Sequence, residues 1–228
     1  MLGLCLFGDD LVSLQDGSLK QMKDLRSGDK VYSVDKQGQI VKDEIIMMLH
    51  GGAKTEAPFY TVTISSNRSV SLTGDHLIIT YNKQKKRSHF VAANELKVND
   101  YILMGASHSE NLQPQLITSI EVLYKTGFYT PMTYTGTLLV NELAVSCYVK
   151  HENMYGEMHA LLYPFRLYYY LVKDVLQLSE EPFPFAMRVG TENEGEFYGT
   201  QLIRSLHQSK KTIKYLVQNL LLHTFLNI

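Results

Sequence analysis

One eight-residue block occurs twice in the chain. Asp24-Leu25-Arg26-Ser27-Gly28-Asp29-Lys30-Val31 resembles Glu95-Leu96-Lys97-Val98-Asn99-Asp100-Tyr101-Ile102, 71 positions later. Each copy leads into a strand-like run, a polar turn and an apolar run: Ile40 to Met48 after the first, Leu116 to Leu123 after the second. Gly28 and Asn99 fall at matching places, and both residue types tolerate positive φ. Two copies are too few for a stacked solenoid. The repeat therefore predicts a single domain with pseudo-two-fold symmetry, with chance similarity over eight residues as the alternative.

The runs around these blocks are short and bounded by turn residues, which is the pattern of β-strands. Lys30-Val31-Tyr32-Ser33-Val34 alternates, Asp35-Lys36-Gln37-Gly38 turns, and Gln39 to Leu49 runs extended. Phe59 to Ile64, Ser69 to Leu72 and His76 to Tyr81 continue the series. Val, Ile and Thr recur in these runs because β-branched side chains suit a pleated, half-buried surface. The expected fold is mainly β, a sandwich or closed barrel-like unit spanning residues 5 to about 150.

From about residue 155 the period changes. Leu161, Leu162, Phe165, Tyr169, Val172 and Leu176 fall mostly three and four apart, a helical face with Pro164 near its start. Residues 179–196 read as a Pro-, Gly- and Glu-rich loop. Residues 197–228 give a second helical stretch with Leu202, Leu206, Ile213, Leu216, Val217, Leu220 and Leu221. Such a pair of helices either packs into a core or faces lipid.

Composition narrows the function classes. A chain of 228 residues is roughly one and a half domains. Hydrophobic residues make up 45% and charged residues 20%, a globular balance. The net charge of −1 leaves no electrostatic footprint for nucleic acid. Two cysteines, Cys5 and Cys147, exclude a disulfide framework and a four-cysteine zinc site. No apolar run reaches a membrane-spanning length. Met1 to Asp10 lacks the basic and long apolar regions of a signal peptide, so a secreted parent is expected to carry its signal upstream.

The chemistry-bearing candidates are weak one at a time. A lone cysteine such as Cys5 is usually a buried hydrophobe unless a base or a lowered pKa activates it. Thr73-Gly74-Asp75-His76 places a hydroxyl and an imidazole across a tight turn, but T-x-x-H is common by chance. Cys147 lies in an apolar strand, where core packing suffices to explain it.

Together they resemble one family. Cys5-Leu6-Phe7-Gly8-Asp9, Asp16-Gly17-Ser18-Leu19-Lys20, the Lys23–Val31 block, Thr73-x-x-His76 and Gly136 to Asn141 through Ser146-Cys147-Tyr148 are similar to the hedgehog C-terminal autoprocessing domain, a Hint module of the fold shared with inteins. The likeness continues at His159 and Pro164-Phe165-Arg166-Leu167, and more weakly at Phe197-Tyr198-Gly199-Thr200-Gln201-Leu202. It implies a division into an upstream remnant at residues 1–4, a Hint domain at 5–152, and a helical sterol- or lipid-recognition extension at 153–228.

The resemblance also implies a reaction. Cys5 attacks the carbonyl of Leu4 in an N-to-S acyl shift, His76 serves as general acid at the departing nitrogen, and Thr73 holds the scissile amide or the His76 ring. Cys147 is then a second active-site cysteine supporting the thioester stage. A sterol hydroxyl is the expected co-substrate and takes the acyl group, releasing a lipidated upstream fragment. No cofactor or metal is implied. The partners implied are an upstream signalling domain in cis, a sterol or lipid, and a membrane surface reached through the C-terminal helices. The implied location is the secretory pathway, through the endoplasmic reticulum to the cell exterior, where the Asn67-Arg68-Ser69 sequon becomes meaningful. His159, Phe165, Tyr169, Leu202 and Leu206 are the candidate lipid contacts.

Two positions depart from the family pattern. Where hedgehog proteins carry an Asp assigned to activating the sterol hydroxyl, this chain has His50. Histidine can accept a proton at neutral pH, so base chemistry survives. The acyl acceptor then becomes a sterol, another lipid alcohol or water, unless His50 is a plain turn residue before Gly51-Gly52. Leu4 and Leu6 flank the nucleophile where hedgehog has Gly and Phe. Intein-type splicing is not expected, because the chain ends Leu226-Asn227-Ile228, about 80 residues past Cys147. A non-catalytic lipid- or partner-binding Hint-like module is the remaining alternative.

Overall fold

The computed structural model describes residues 5–105, 111–149, 159–160 and 162–178, and for His50 the backbone only. The first half runs through β1 (Leu6–Phe7), β2 (Leu11–Ser13), β3 (Leu19–Gln21), β4 (Lys30–Val34), β5 (Ile40–Ile64), β6 (Ser69–Thr73) and β7 (His76–Asn82). Then follow β8 (Arg87–Ala92), β9 (Tyr101–Met104), β10 (Gln113–Thr133), β11 (Thr137–Val140) and β12 (Leu143–Val149). Helix α1 (Tyr163–Tyr170) comes last and runs into a π-helical turn, Leu171–Val175. The strands form one continuous antiparallel network ordered β3-β2-β11-β12-β7-β9-β10-β1-β6-β5-β4, with β8 on β7 and a further β10–β5 pairing. The fold is mainly β, as the strand pattern predicts.

The repeated block makes the same small structure twice. A single 3-10 turn, Met22–Asp24 or Ala93–Glu95, precedes each β-turn. The Asp29 carboxylate accepts the Arg26 N–H at 2.6 Å, and Asp100 accepts the Lys97 N–H at 2.9 Å. Gly28 and Asn99 sit at φ +89° and +77°, the positive values their residue types suit. Their N–H groups reach the carbonyls of Ile45 and Ile117, at 2.9 and 3.0 Å. Each turn thereby pins the next strand to one of the two long strands, β5 or β10.

Those two long strands pair with each other and form the spine. They differ from the sequence reading, which has separate runs at Gln39–Leu49 and Phe59–Ile64. β5 continues unbroken through Gly51-Gly52, so His50 lies in a strand, paired with Thr130, rather than in a turn. The reason is a contact across the sheet. A Cβ on Gly52 would stand 2.4 Å from the Phe128 ring, so only glycine lets the strand pass under that ring. Register shifts on either side of Phe128–Thr130 bend β10, and Gly127 supplies the positive φ (+93°) at one of them.

The main core joins Leu6, Val12, Val31, Ile45, Met47, Val62, Leu72, Ile78, Ile102, Ile117 and Cys147, among others, from both halves. Helix α1 is shorter than the apolar spacing predicts, and Pro164 lies in its first turn. It lays Leu162, Arg166, Tyr169 and Val172 on the β unit. Two polar anchors fix it there. Glu44 of β5, almost wholly buried, accepts from the Tyr169 hydroxyl and the Lys173 ammonium, and from Lys30 of β4. Arg166, equally buried, donates to the carbonyls of Thr133 (3.3 Å) and His159 (2.7 Å) and to the Tyr148 hydroxyl.

Candidate functional site

β1 is two residues long and is held on both sides. Leu6 pairs with Leu72 of β6 and with Tyr129 of β10. In antiparallel pairing one index rises as the other falls, so Cys5 falls opposite Thr73 on one side and Thr130 on the other. The hydrogen bonds agree. The Thr73 N–H donates to the Cys5 carbonyl at 3.0 Å. The Thr73 hydroxyl accepts the Cys5 N–H at 3.0 Å and lies 3.2 Å from the Cys5 carbonyl oxygen, to which it donates. The Cys5 Sγ lies 3.5 Å from the Thr130 Oγ1. Its apolar walls are Ala57, Phe59 and Phe128, with Phe7 against them and edge-on to Phe59. All three polar residues are buried: Cys5 is 3% exposed, Thr73 2% and Thr130 1%.

His76 begins β7, one tight turn after Thr73. That turn is held by Asn94, whose N–H donates to the Gly74 carbonyl at 2.8 Å and whose amide donates to Asp75 at 3.0 Å. The imidazole is fully buried, and its Nε2 lies 2.8 Å from the Ser146 carbonyl oxygen. A carbonyl can only accept, so the neutral ring carries its proton on Nε2. Nδ1 is then the ring nitrogen that carries the lone pair.

Cys147 lies on β12, next to Ser146. It belongs to the main core, whereas Cys5 belongs to the separate Ala57–Phe59–Phe128 cluster. Its Sγ is 3.7 Å from the Thr133 Oγ1. Burial pushes the thiol up to about 12, against the Thr133 hydrogen bonds and the nearby Arg166, so it stays protonated at neutral pH. Thr133 in turn accepts the Gly136 N–H at 3.1 Å and donates to the Thr137 carbonyl at 2.9 Å. Arg166 is lowered to about 10 by the same cause, burial.

The other expected contacts are spread over the helical side. His159 is partly buried, with Nδ1 3.2 Å from the Tyr148 hydroxyl. Arg166 donates to that hydroxyl, so the hydroxyl donates onward and His159 Nδ1 accepts as a neutral ring. Its lowered pKa, from burial first and Lys36 second, fits that state. His159 also lines an open cavity of about 710 Å³ with Val34, Ile79, Phe90, Leu103 and Tyr163. Phe165 packs against the core, and Tyr169 is fully buried with its hydroxyl on Glu44. Leu4, Leu202 and Leu206 lie outside the described residues. Among the described residues no three His, Cys, Asp or Glu side chains are grouped to hold a metal, and no helix is long and apolar enough to cross a membrane.

Sequence reasoning missed Thr130. It lies in an apolar run and belongs to no motif, and only the register of β10 against β1 brings it to the sulfur. The same register pairs it with His50 on the other side.

Comparison with known proteins agrees with this architecture. The chain is 31% identical to the Sonic hedgehog protein of Danio rerio over 173 residues, 74% of this chain and 41% of that protein. It is 33% identical to Warthog protein 6 of Caenorhabditis elegans over 151 residues, 66% of this chain and 24% of that one. The chain thus spans less than half the length of these relatives. Among solved structures, a DnaB intein from Synechocystis sp. PCC 6803 superposes with a TM-score of 0.53 at 16% identity, covering 64% of this chain and 99% of the intein. A KlbA intein precursor from Methanococcus jannaschii gives 0.53 at 15% identity, over 66% of this chain and 95% of that one. At such identities the likeness is one of fold. The Hint module family matches residues 1–210, and with that match the chain belongs to the Hint family, its sequence relatives being of the hedgehog type.

Proposed function

We propose that this chain is a single-turnover, self-cleaving acyl transferase that cuts the Leu4–Cys5 bond. The observation that carries the reading is the grip of Thr73 on Cys5: one hydroxyl holds both the nitrogen and the carbonyl of the nucleophile's own residue. In the first step the Cys5 sulfur bonds to the Leu4 carbonyl carbon, the C–N bond breaks, and the sulfur's proton is replaced by one gained at nitrogen. An amide is more stable than a thioester, so the leaving nitrogen must be protonated as it departs. His76 Nδ1 is the group assigned to that transfer, with Nε2 anchored on Ser146. Cys147, protonated and held by Thr133, supports the thioester stage from β12, the strand beside that of His76, as a neutral thiol.

In the second step a hydroxyl takes the acyl group and the sulfur leaves. A sterol is the acceptor suggested by the hedgehog-type relatives. The cavity beside His159, with Val34, Ile79, Phe90 and Leu103 in its wall, supports an apolar co-substrate, since ligand sites of this size are mostly apolar with a few polar groups. Residues 153–228 then act as the recognition extension, in contact with a membrane surface. The upstream segment is a signalling domain in cis, and the reaction belongs to the secretory pathway. A second outcome of the same step turns on His50. Its place in β5 opposite Thr130 puts an imidazole-bearing residue next to the site in register, where a carboxylate is the family pattern. The thioester then passes to water or to a non-sterol alcohol.

The test is a fusion to an upstream domain, incubated with total lipid extract, with the released fragment weighed. A fragment heavier by a sterol less one water supports sterol transfer. A fragment ending in a free carboxylate or a different adduct supports the His50 reading. A fusion that stays whole with lipid and with dithiothreitol overturns the function.

A further inference from the structure

Thr130 is buried, adjoins the reacting sulfur and has no part in the reaction as described so far. Its Oγ1 is 3.5 Å from Cys5 Sγ, within reach of a sulfur hydrogen bond. Ala57, Phe59 and Phe128 form the apolar walls around Cys5. Titratable residues on the adjoining strands include His50, Glu56 and Tyr60 on β5, Lys125 and Tyr129 on β10, and His76 on β7. Lys125 is turned to the Ser71 hydroxyl at 2.7 Å and the Phe7 ring at 4.6 Å. His76 is turned to Ser146.

We propose that Thr130 is a further catalytic residue, whose hydroxyl is the hydrogen-bond partner of the Cys5 sulfur through both steps of the acyl transfer. The inference rests on the proposed self-cleavage and adds a group to it. Before attack the hydroxyl accepts the S–H and sets the sulfur's direction. While the Sγ–C bond to residue 4 forms, the C–N bond breaks and the thiol proton passes, by way of His76, to the departing nitrogen. In the second step the acceptor oxygen bonds to that carbon and the Sγ–C bond breaks. The sulfur leaves carrying negative charge, the hydroxyl turns to donate to it, and the acceptor's proton ends on sulfur. A hydroxyl suits both stages because it can accept from a thiol and donate to a thiolate without a change in its own protonation. Hydrogen bonds to charged groups are the stronger ones, so the effect falls mainly where sulfur carries charge.

The register makes the contact specific. Leu6 pairs with Tyr129, which places Thr130 opposite Cys5, and Thr130 precedes Pro131 at a shift in the β5–β10 pairing.

The test compares Thr130→Val with Thr130→Ser. Valine keeps the shape and removes the hydroxyl, whereas serine keeps the hydroxyl. In a fusion cleaved with dithiothreitol, Thr130→Val is expected to slow release about ten-fold or more, and Thr130→Ser to stay within about three-fold of the parent. Thermal melts of both variants check that the fold is intact. A second readout does not depend on cleavage. With Cys147→Ser, Cys5 is the one thiol left in the 228-residue chain, and its S–H stretching band in the Raman spectrum reports the hydrogen bond. Thr130→Val should move that band toward the frequency of an unbonded thiol, and Thr130→Ser should restore it. A folded Thr130→Val variant that cleaves at the parent rate, or leaves the band unmoved, overturns the inference. If the parent fusion is not cleaved at all, the catalytic role fails with the function, whatever the band shows.

Discussion

The Thr73 hydroxyl accepts the N–H of Cys5 at 3.0 Å and donates to the carbonyl of the same residue at 3.2 Å. One side chain thus ties down both peptide groups that flank the nucleophile's Cα. Thr73→Val is expected to slow thiol-induced cleavage at least ~10-fold, the scale of losing one buried hydrogen bond to a reacting group. Thr73→Ser should keep most of the rate. Gel densitometry of a fusion over time distinguishes the two, and equal rates for Val and Ser would remove Thr73 from the site.

Gly52 has a steric duty toward the same site. Any Cβ there meets the Phe128 ring, which forms one wall of the Cys5 cluster. Gly52→Ala is expected to cost about 1–3 kcal/mol through overpacking. It should also slow cleavage, because Phe128 has to move away from its place beside Cys5. Urea melts and cleavage rates check both. A variant with unchanged stability and rate would show that the ring yields freely.

Glu44 joins the β unit to helix α1. Burial raises the cost of its charge, but Lys173, Lys30 and Tyr169 outweigh that and hold its carboxyl below the usual range. Its stabilising contribution is therefore present above the ordinary carboxylate pKa and is lost as pH falls through its lowered value. Glu44→Gln leaves the Lys173 ammonium, whose side chain is 10% exposed, without its carboxylate. The expected loss is about 3 kcal/mol. Hydrogen exchange should show faster opening of residues 163–178 than of the strands. Unchanged protection across α1 would contradict the anchoring role.

Asp10 behaves in the opposite sense. Burial pushes it up to about 6, although the Ser71 N–H at 2.8 Å and the Asn141 amide at 3.1 Å stabilise its charge. An unfolded Asp titrates near 3.9, so between about 4 and 6 the folded chain holds the extra proton. Stability is then expected to fall as pH rises through that window, by about 3 kcal/mol at most, and to return on acidification. Asp10→Asn should remove that slope. Denaturant melts at intervals from pH 4 to 7 measure it.

The sequence was most legible where local chemistry decides the structure. The two turns at Gly28 and Asn99 need positive φ and an Asp one residue later, and both signals are visible in the repeated block. Thr73 and His76 are three apart across one tight turn, so their closeness is also local. What could not be read depends on pairing between distant strands. Thr130 reaches Cys5 only through the β1–β10 register, and β5 passes Gly51-Gly52 without turning because a ring from β10 lies over Gly52. The buried Glu44–Lys173 pair joins residues 129 positions apart, which no periodicity reports. Tyr169 shows the limit of helical spacing. Its place on the apolar face of α1 was evident, but its partner, a buried carboxylate, was not.

The central claim is that Cys5 forms a thioester with the residue before it. Intact mass spectrometry of the fragment released from an upstream fusion by dithiothreitol tests this most directly. The account predicts a fragment ending at Leu4, heavier by one dithiothreitol less one water, and none from Cys5→Ala. Cleavage at another bond, or equal release from Cys5→Ala, would contradict it.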